Sequence, residues 1–243
     1  MLDKQKHQLV QKQLLREIFS DSELSAKLVF KGGTALMMFY GLNRFSTDLD
    51  FDLRGSVDDI DFERLKTLSA KQLTIRDSAV KTNAYLLEGA WEPGAQQIKI
   101  EVSRRVYPQS FILHGFLGLS IPILSPEYLL AHRLCAITSR KTLQNRDIYD
   151  ADFMLKKNWQ PNAAVIELRT GLGAHDYFGE LMKLLGDPAV AKNIMFGLGE
   201  VLDLKEREWA RLNLVESLRQ QLLLRMSSTA PQNDKSGFVS RLS

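Results

Sequence analysis

From Lys4 to Phe19 the apolar residues Val10, Leu14, Leu15, Ile18 and Phe19 recur at helical spacing. Asp21 or Ser22 can cap a second short helical turn ahead of "KLVF". "LVF" is brief, β-branched or aromatic, and is stopped by "GG". "TALMMFYGL" then reads as a largely buried helix closed by Gly41 and Asn43. In "TDLDFDL" polar and apolar residues alternate strictly, the strongest strand signal in the chain. Asp58 to Gln72 predicts a helix, and "AYLLEG" and "QQIKIEVSRR" predict strands. The second of these places Lys99, Glu101 and Ser103 on one face and Ile98, Ile100 and Val102 on the other.

After "SIPIL" the pattern becomes helical. "SPEYLLAHRLCAITSRK" opens with a Ser cap and Pro at the first helical position. "NRDIYDADFMLKKN" predicts another helix with Asn145 as its cap. Ala163 to Arg225 reads as helical, broken near "TGLGAHD" and "LGDPA". The tail from Met226 is polar, Ser-rich and unpatterned, and disorder is expected there. The expected class is α+β: a mixed sheet with flanking helices over 1–120, a helical half over 121–225 that completes a cleft, and a loose tail over 226–243.

Composition narrows the class without naming a partner. Of 243 residues 44% are hydrophobic and 25% charged, enough to bury a core. The net charge of +3 permits an anionic partner and does not demand one. The single cysteine, Cys135, excludes an internal disulfide framework and fits a reducing compartment. The longest apolar run, Ala35 to Leu42, is too short to span a bilayer, and the polar N-terminus lacks the apolar core of a signal peptide. A cytoplasmic protein with no membrane partner is the expectation.

The chemistry concentrates in "FKGGTALMMFYGLNRFSTDLDFDL", residues 30–53. On an extended strand Asp48, Asp50 and Asp52 project one way while Leu49, Phe51 and Leu53 face the core. Carboxylates so close repel unless water screens them or a cation lies between them. Two of them can hold Mg²⁺, which takes one or two protein carboxylates plus phosphate oxygens and water. Glu101, on another alternating strand, is a candidate third ligand. A solvated acidic edge strand satisfies the same alternation. A calcium loop does not, because Leu53 stands where it needs Gly and Asp59 where it needs Glu. Gly32 and Gly33, between a strand and a helix start, suit a phosphate cradle to which Thr34 adds a hydroxyl. They equally suit a plain strand-to-helix turn, and a Walker A loop is absent.

These residues resemble the first motif of the AbiEii/AbiGii-type toxins, a branch of the DNA polymerase β-like nucleotidyltransferase superfamily. The later stretch "PEYLLAHRLCAITSRKTLQNRDIYDADFML" resembles the family's helix followed by R-D-x-x-D. The resemblance runs in order from about Leu14 to Arg225, with "IKIEVSRR" between the two segments. It implies that Asp48 and Asp50 bind metal, with Glu101 as third carboxylate. Gly32 and Gly33 match the turn, Gly standing second where Ser is often found. Arg44 and Ser46 match an R-x-S element, and Asp147 and Asp150 the R-D-x-x-D element. Lys99 could touch phosphate. Arg133 replaces a Lys common in relatives, which keeps the charge but changes its geometry.

The activity so implied is Mg²⁺-dependent transfer of a nucleotide from an NTP, with two ions expected, to an RNA acceptor such as a tRNA 3′ end. Its effect would be growth arrest in a toxin–antitoxin or abortive-infection phage-defence system, restrained by a cognate antitoxin. A kinase-like transfer of the γ-phosphoryl group and a non-catalytic nucleotide- or RNA-binding module are the rival readings. Two conservative explanations sit beside this. Asp147 in a first helical turn complements the helix dipole, and Arg104, Arg105, Arg140 and Lys141 could contact an RNA backbone or be solvated surface charge. His7, His114, His132 and His175 show no metal-ligand spacing. Cys135 reads as packing, and the helix around Trp209 as amphipathic.

Overall fold

The computed structural model describes residues 3–54 and 60–229. Helix α1 (Lys4–Ser20) is capped by Asp3, whose side chain accepts from the Lys6 N–H. Asp21 caps α2 (Ser22–Lys27), accepting from the N–H groups of Glu23 and Leu24. Strand β1 (Leu28–Lys31) runs directly into α3 (Gly32–Phe39). Then follow β2 (Leu49–Leu53), α4 (Phe62–Ser69), β3 (Thr74–Lys81), β4 (Ala84–Ala90) and β5 (Ile98–Ser103). β6 (Phe111–Phe116) and β7 (Leu119–Leu124) complete one seven-stranded sheet of order β3-β4-β5-β2-β1-β7-β6.

The sheet is mixed. β2 runs parallel to β5 and antiparallel to β1, and β1 runs parallel to β7. One face packs Leu49, Phe51, Ile98, Ile100 and Val102 against Leu14, Leu15 and Ile18 of α1 in a continuous core. A second core lies in the helical half: α5 (Pro126–Ser139), α6 (Asn145–Lys156), α7 (Ala163–Thr170), α8 (Ala174–Leu185), α9 (Pro188–Lys192) and α10 (Leu204–Thr229). Val29, Leu36 and Leu124 belong to this second core, so the sheet and the helical half are joined through β1, α3 and β7.

Several elements differ from the sequence expectations. β3 and β6 are largely exposed, so no apolar alternation marks them. β7 carries Pro122, which cannot donate to a ladder and argues against a strand. The helix expected from Asp58 begins at Phe62, with Asp61 as its cap; Asp58 and Asp59 lie outside the described residues. Asn145 is the first residue of α6 rather than its cap. Its amide donates instead to the carbonyls of Asn193 and Phe196, tying α6 to the segment after α9. α10 continues past Arg225 to Thr229; residues 230–243 of the expected tail lie outside the described residues.

Candidate active site

Strand register builds one wall of the site. Lys31 of β1 pairs opposite Asp50 of β2, and Asp50 pairs beside Glu101 of β5. Three chemically active residues thus form one row across adjacent strands. Gly32 follows Lys31 with φ +81°, a conformation an L side chain rarely adopts. A Cβ placed on it would lie 2.2 Å from Asp50 Oδ2, so only glycine lets this turn meet the carboxylate. A Cβ on Gly33 would lie 2.5 Å from an Arg44 guanidinium nitrogen and 2.7 Å from Ser46 Oγ. The glycine pair therefore seats α3 against both Asp50 and the Arg44–Ser46 segment.

Asp48 stands just before β2. Its backbone carbonyl accepts a short hydrogen bond from the buried Thr34 hydroxyl, which pins the start of α3 to the entry of β2. Thr34 is spent on this bond. From α1, His7 Nε2 lies 2.9 Å from the Thr47 carbonyl and Gln11 donates to the Ser46 carbonyl at 3.1 Å. Both side chains are fully buried, so α1 holds the loop that delivers the aspartates.

The carboxylates differ electrostatically. Burial, with the charges of Asp48 and Glu101 close by, pushes the Asp50 carboxyl up to about 6. Lys31 and Lys99 oppose that rise. Burial also works against the Glu101 charge, yet the Lys99 ammonium at 2.9 Å, with Lys31 and Arg105, holds this carboxyl below its usual range. Lys99 is raised in return, against burial, by Glu101, Asp48 and Asp50. Lys31 is anchored by Asp52 at 2.5 Å.

Lys31, Gly32, Asp50 and Glu101 open onto a cleft of about 810 Å³, counting the solvent at its mouth. Arg105, Tyr107, His132, Arg133, Arg140 and Arg169 line the same cleft. His132 Nδ1 lies 3.0 Å from an Arg169 nitrogen; a guanidinium only donates, so Nδ1 accepts and the ring proton sits on Nε2. Burial and the neighbouring Lys31, Arg169 and Arg133 charges push the His132 imidazole down to about 3, so it is neutral.

Behind the cleft, Arg44 forks onto Asp150 with both nitrogens at 2.6 Å. Arg133 bonds Asp147 and approaches Asp150 at 3.1 Å, and Arg140 reaches Asp147 at 2.7 Å. Three guanidinium groups meet two buried carboxylates, leaving one positive charge in excess. The R-x-S loop, α5 and the R-D-x-x-D helix are thereby locked together. Arg44, Asp147 and Asp150 are buried and turned to one another; Arg133 is also at the cleft surface.

Of the sequence-predicted residues, Gly32, Asp50, Glu101 and Arg133 line the cleft, Asp48 and Lys99 lie close enough for their charges to act on Asp50, and Gly33 packs against Arg44 and Ser46. Thr34, Arg44, Ser46, Asp147 and Asp150 lie behind, as bracing. Arg105 and Arg140 line the cleft, whereas Arg104 sits over the Tyr85 ring. Sequence reading missed Lys31, Tyr107 and Arg169. A basic residue directly before the glycine pair was the available signal for Lys31, and none marked the other two. Among the described residues no group of three or more His, Cys, Asp and Glu side chains is arranged to hold a metal ion. The Asp48–Asp50 pair nevertheless offers the one or two carboxylates that Mg²⁺ takes from a protein, and the Asp48 and Glu101 charges add to burial in raising Asp50. No described helix is long and apolar enough to cross a membrane.

Solved structures share this fold. The fold resembles a candidate nucleotidyltransferase from H. pylori (23% identity, TM-score 0.56), over 93% of this chain and 98% of that one. It also resembles JHP933 from Helicobacter pylori (24% identity, TM-score 0.55), over 94% and 97%. An antigenic nucleotidyltransferase-like protein from Paracoccidioides brasiliensis matches at 15% identity and TM-score 0.50, over 79% and 94%. The fold is that of nucleotidyltransferase-like proteins. The family model "Nucleotidyl transferase AbiEii toxin, Type IV TA system" matches residues 13–236, and the chain belongs to that family. Membership in a type IV toxin–antitoxin family implies an antitoxin as partner. No curated protein matches the chain.

Proposed function

We propose that the protein is a toxin that transfers a nucleoside monophosphate from an NTP to the 3′ hydroxyl of an RNA acceptor, a tRNA end by preference. The observation that carries this reading is the in-register row Lys31–Asp50–Glu101 beside the left-handed Gly32, facing a cation-lined cleft. Family membership supports the reaction type.

Asp48 and Asp50 would hold Mg²⁺, two ions in the full complex, supplying charge that neutralises the triphosphate and acidifies an acceptor hydroxyl. Gly32 lets phosphate approach the backbone at the start of α3. Lys31, anchored on Asp52, and Lys99, anchored on Glu101, place ammonium groups beside the same wall. Glu101, ionised at neutral pH, completes the carboxylate set on the side where the hydroxyl is activated. The acceptor hydroxyl releases its proton to solvent, and its oxygen forms a bond to the α-phosphorus as the bond from that phosphorus to the α,β-bridging oxygen breaks. Pyrophosphate leaves towards the positive side of the cleft, where Arg133 and the excess charge of its network stabilise it. In the cell such transfer blocks translation, and an antitoxin partner restrains it. The outcome is growth arrest of the kind that limits phage.

The test is incubation of purified protein with Mg²⁺, total RNA and each α-³²P-labelled NTP, beside γ-labelled ATP and the Asp48→Ala variant. Label from the α position entering RNA, and lost in the variant, is the expected result and names the base. Label from the γ position alone would assign phosphoryl transfer instead. No transfer from any nucleotide, with Asp48→Ala as growth-inhibitory as the parent protein, would leave a binding module.

A further inference from the structure

Among the described residues, the cleft has two sets of cations, one in contact with carboxylates of the protein and one not. Lys31, Arg133 and Arg140 each contact a carboxylate. Arg169, from α7, contacts none among the described residues; one of its nitrogens bonds the His132 carbonyl at 3.1 Å and His132 Nδ1 at 3.0 Å. Its guanidinium also lies 5.5 Å from the Tyr107 ring centroid, and that ring meets the His132 edge at 5.1 Å. The planar fork is therefore held by three partners, none of which cancels its charge, with donors to spare. His132 adds a neutral Nε2–H for which no described group serves as acceptor. Arg105, at the same cleft and exposed, likewise has no carboxylate partner among the described residues.

A fixed, uncompensated guanidinium beside a neutral imidazole donor suits a phosphate oxygen better than any other common group. A carboxylate ligand would meet the same donors, but the site faces a wall of phosphate chemistry rather than an amino-acid-like pocket. Burial keeps His132 from adding a second charge, so the site donates hydrogen bonds without titrating near neutral pH.

We propose that Arg169, with His132 Nε2 and Arg105, forms a phosphate subsite in the cleft that Asp50 and Glu101 also line. The subsite takes either a non-transferred phosphate of the nucleotide or a backbone phosphodiester of the acceptor strand. Tyr107 is a positioning residue for the Arg169 fork. The inference rests on the nucleotidyl-transfer reading for its substrates, and binding tests it independently of turnover.

The experiment measures equilibrium binding to the full-length protein of two probes, inorganic tripolyphosphate and a short RNA with a single-stranded 3′ end. Parent, Arg169→Ala and Arg169→Gln are compared, Gln keeping a donor for the His132 carbonyl so that folding is preserved; thermal melting confirms it. Loss of one charge-assisted contact predicts binding about tenfold weaker or more for at least one probe. For RNA, a shallower dependence on salt concentration is also expected, which a merely structural role would not produce. Weakening confined to tripolyphosphate assigns the subsite to the nucleotide, and weakening confined to RNA assigns it to the acceptor. Binding of both probes within twofold of the parent in a folded Arg169→Gln protein overturns the proposal. Arg169-dependent binding in a protein that transfers nothing would sustain the subsite while removing the transferase reading.

Discussion

Arg44 and Asp150 stand 106 residues apart in the chain and meet in a two-pronged ion pair, both distances 2.6 Å, with side chains almost wholly shielded from water. The pair joins the loop that enters β2 to the helix that carries R-D-x-x-D. Breaking a buried pair strands a charge in a low-dielectric interior. Asp150→Ala, which leaves Arg44 without its fork, is expected to cost about 3–5 kcal/mol of stability. Urea unfolding measures this, and a loss near zero would mean that the pair braces nothing.

Asp50 gives a stability change that depends on pH with a definite sign. Its folded-state value of about 6 lies above the unfolded 3.8, so the folded state holds the proton more tightly. The penalty for its charge is absent below the unfolded value, grows between the two, and is complete above about 6. Asp50→Asn is therefore expected to raise stability at pH 7 by up to about 3 kcal/mol, from the size of the shift, and to change it little near pH 3.5. Melting curves at the two pH values check this. A variant that is destabilised at pH 7 would contradict the assigned electrostatics.

The same carboxyl should shape the reaction. A metal ligand must be ionised, so nucleotide transfer is expected to rise with pH through about 6, the apparent midpoint falling as Mg²⁺ is increased because the ion favours the carboxylate. His132, held down near 3, adds no limb between pH 5 and 8. Initial rates across that range, at two Mg²⁺ concentrations, distinguish a metal-dependent midpoint from a fixed one.

Gly32→Ala combines strain with collision. The φ of +81° costs a non-glycine residue on the order of 1–3 kcal/mol, and the added methyl must displace Asp50 Oδ2 from 2.2 Å. Transfer activity is expected to fall by at least about tenfold, since a shift of about 1 Å at the reacting centre can cost more than that. Gly41→Ala is the control: it has a similar φ of +77° but an open surround, and should lose stability without losing activity.

Gln11 and His7 make a milder case. Gln11→Leu removes the donor to the buried Ser46 carbonyl, and an unsatisfied buried acceptor costs about 1–3 kcal/mol. The Arg44–Asp48 loop should loosen with it, so the maximal rate is expected to fall at temperatures where the protein remains fully folded. Circular dichroism and initial rates on one sample separate the two effects.

Periodicity identified α1, the Leu49–Leu53 strand and the Ile98–Ser103 strand, because each buries a regular apolar face, and α3 was legible as an apolar run closed by Gly41. The alternation in "TDLDFDL" set Asp50 opposite the core, and the glycine pair marked the turn that meets it. Local pattern could not show β3, β6 or β7. Two of these are held by main-chain pairing at exposed edges, and the third carries a proline, so no side-chain period records them. Nor could it separate the residues of the motifs by role. Arg44, Thr34 and Asp150 belong to the same motifs as Asp48 and Asp50, but only packing turns Arg44 onto Asp150, Thr34 onto the Asp48 carbonyl and Asp50 towards the cleft. The Lys31–Asp50–Glu101 row depends on the register of three strands drawn from distant segments. Arg169 meets His132 because α7 packs against α5, and Tyr107 reaches both from the segment between β5 and β6, so no local pattern announces the group.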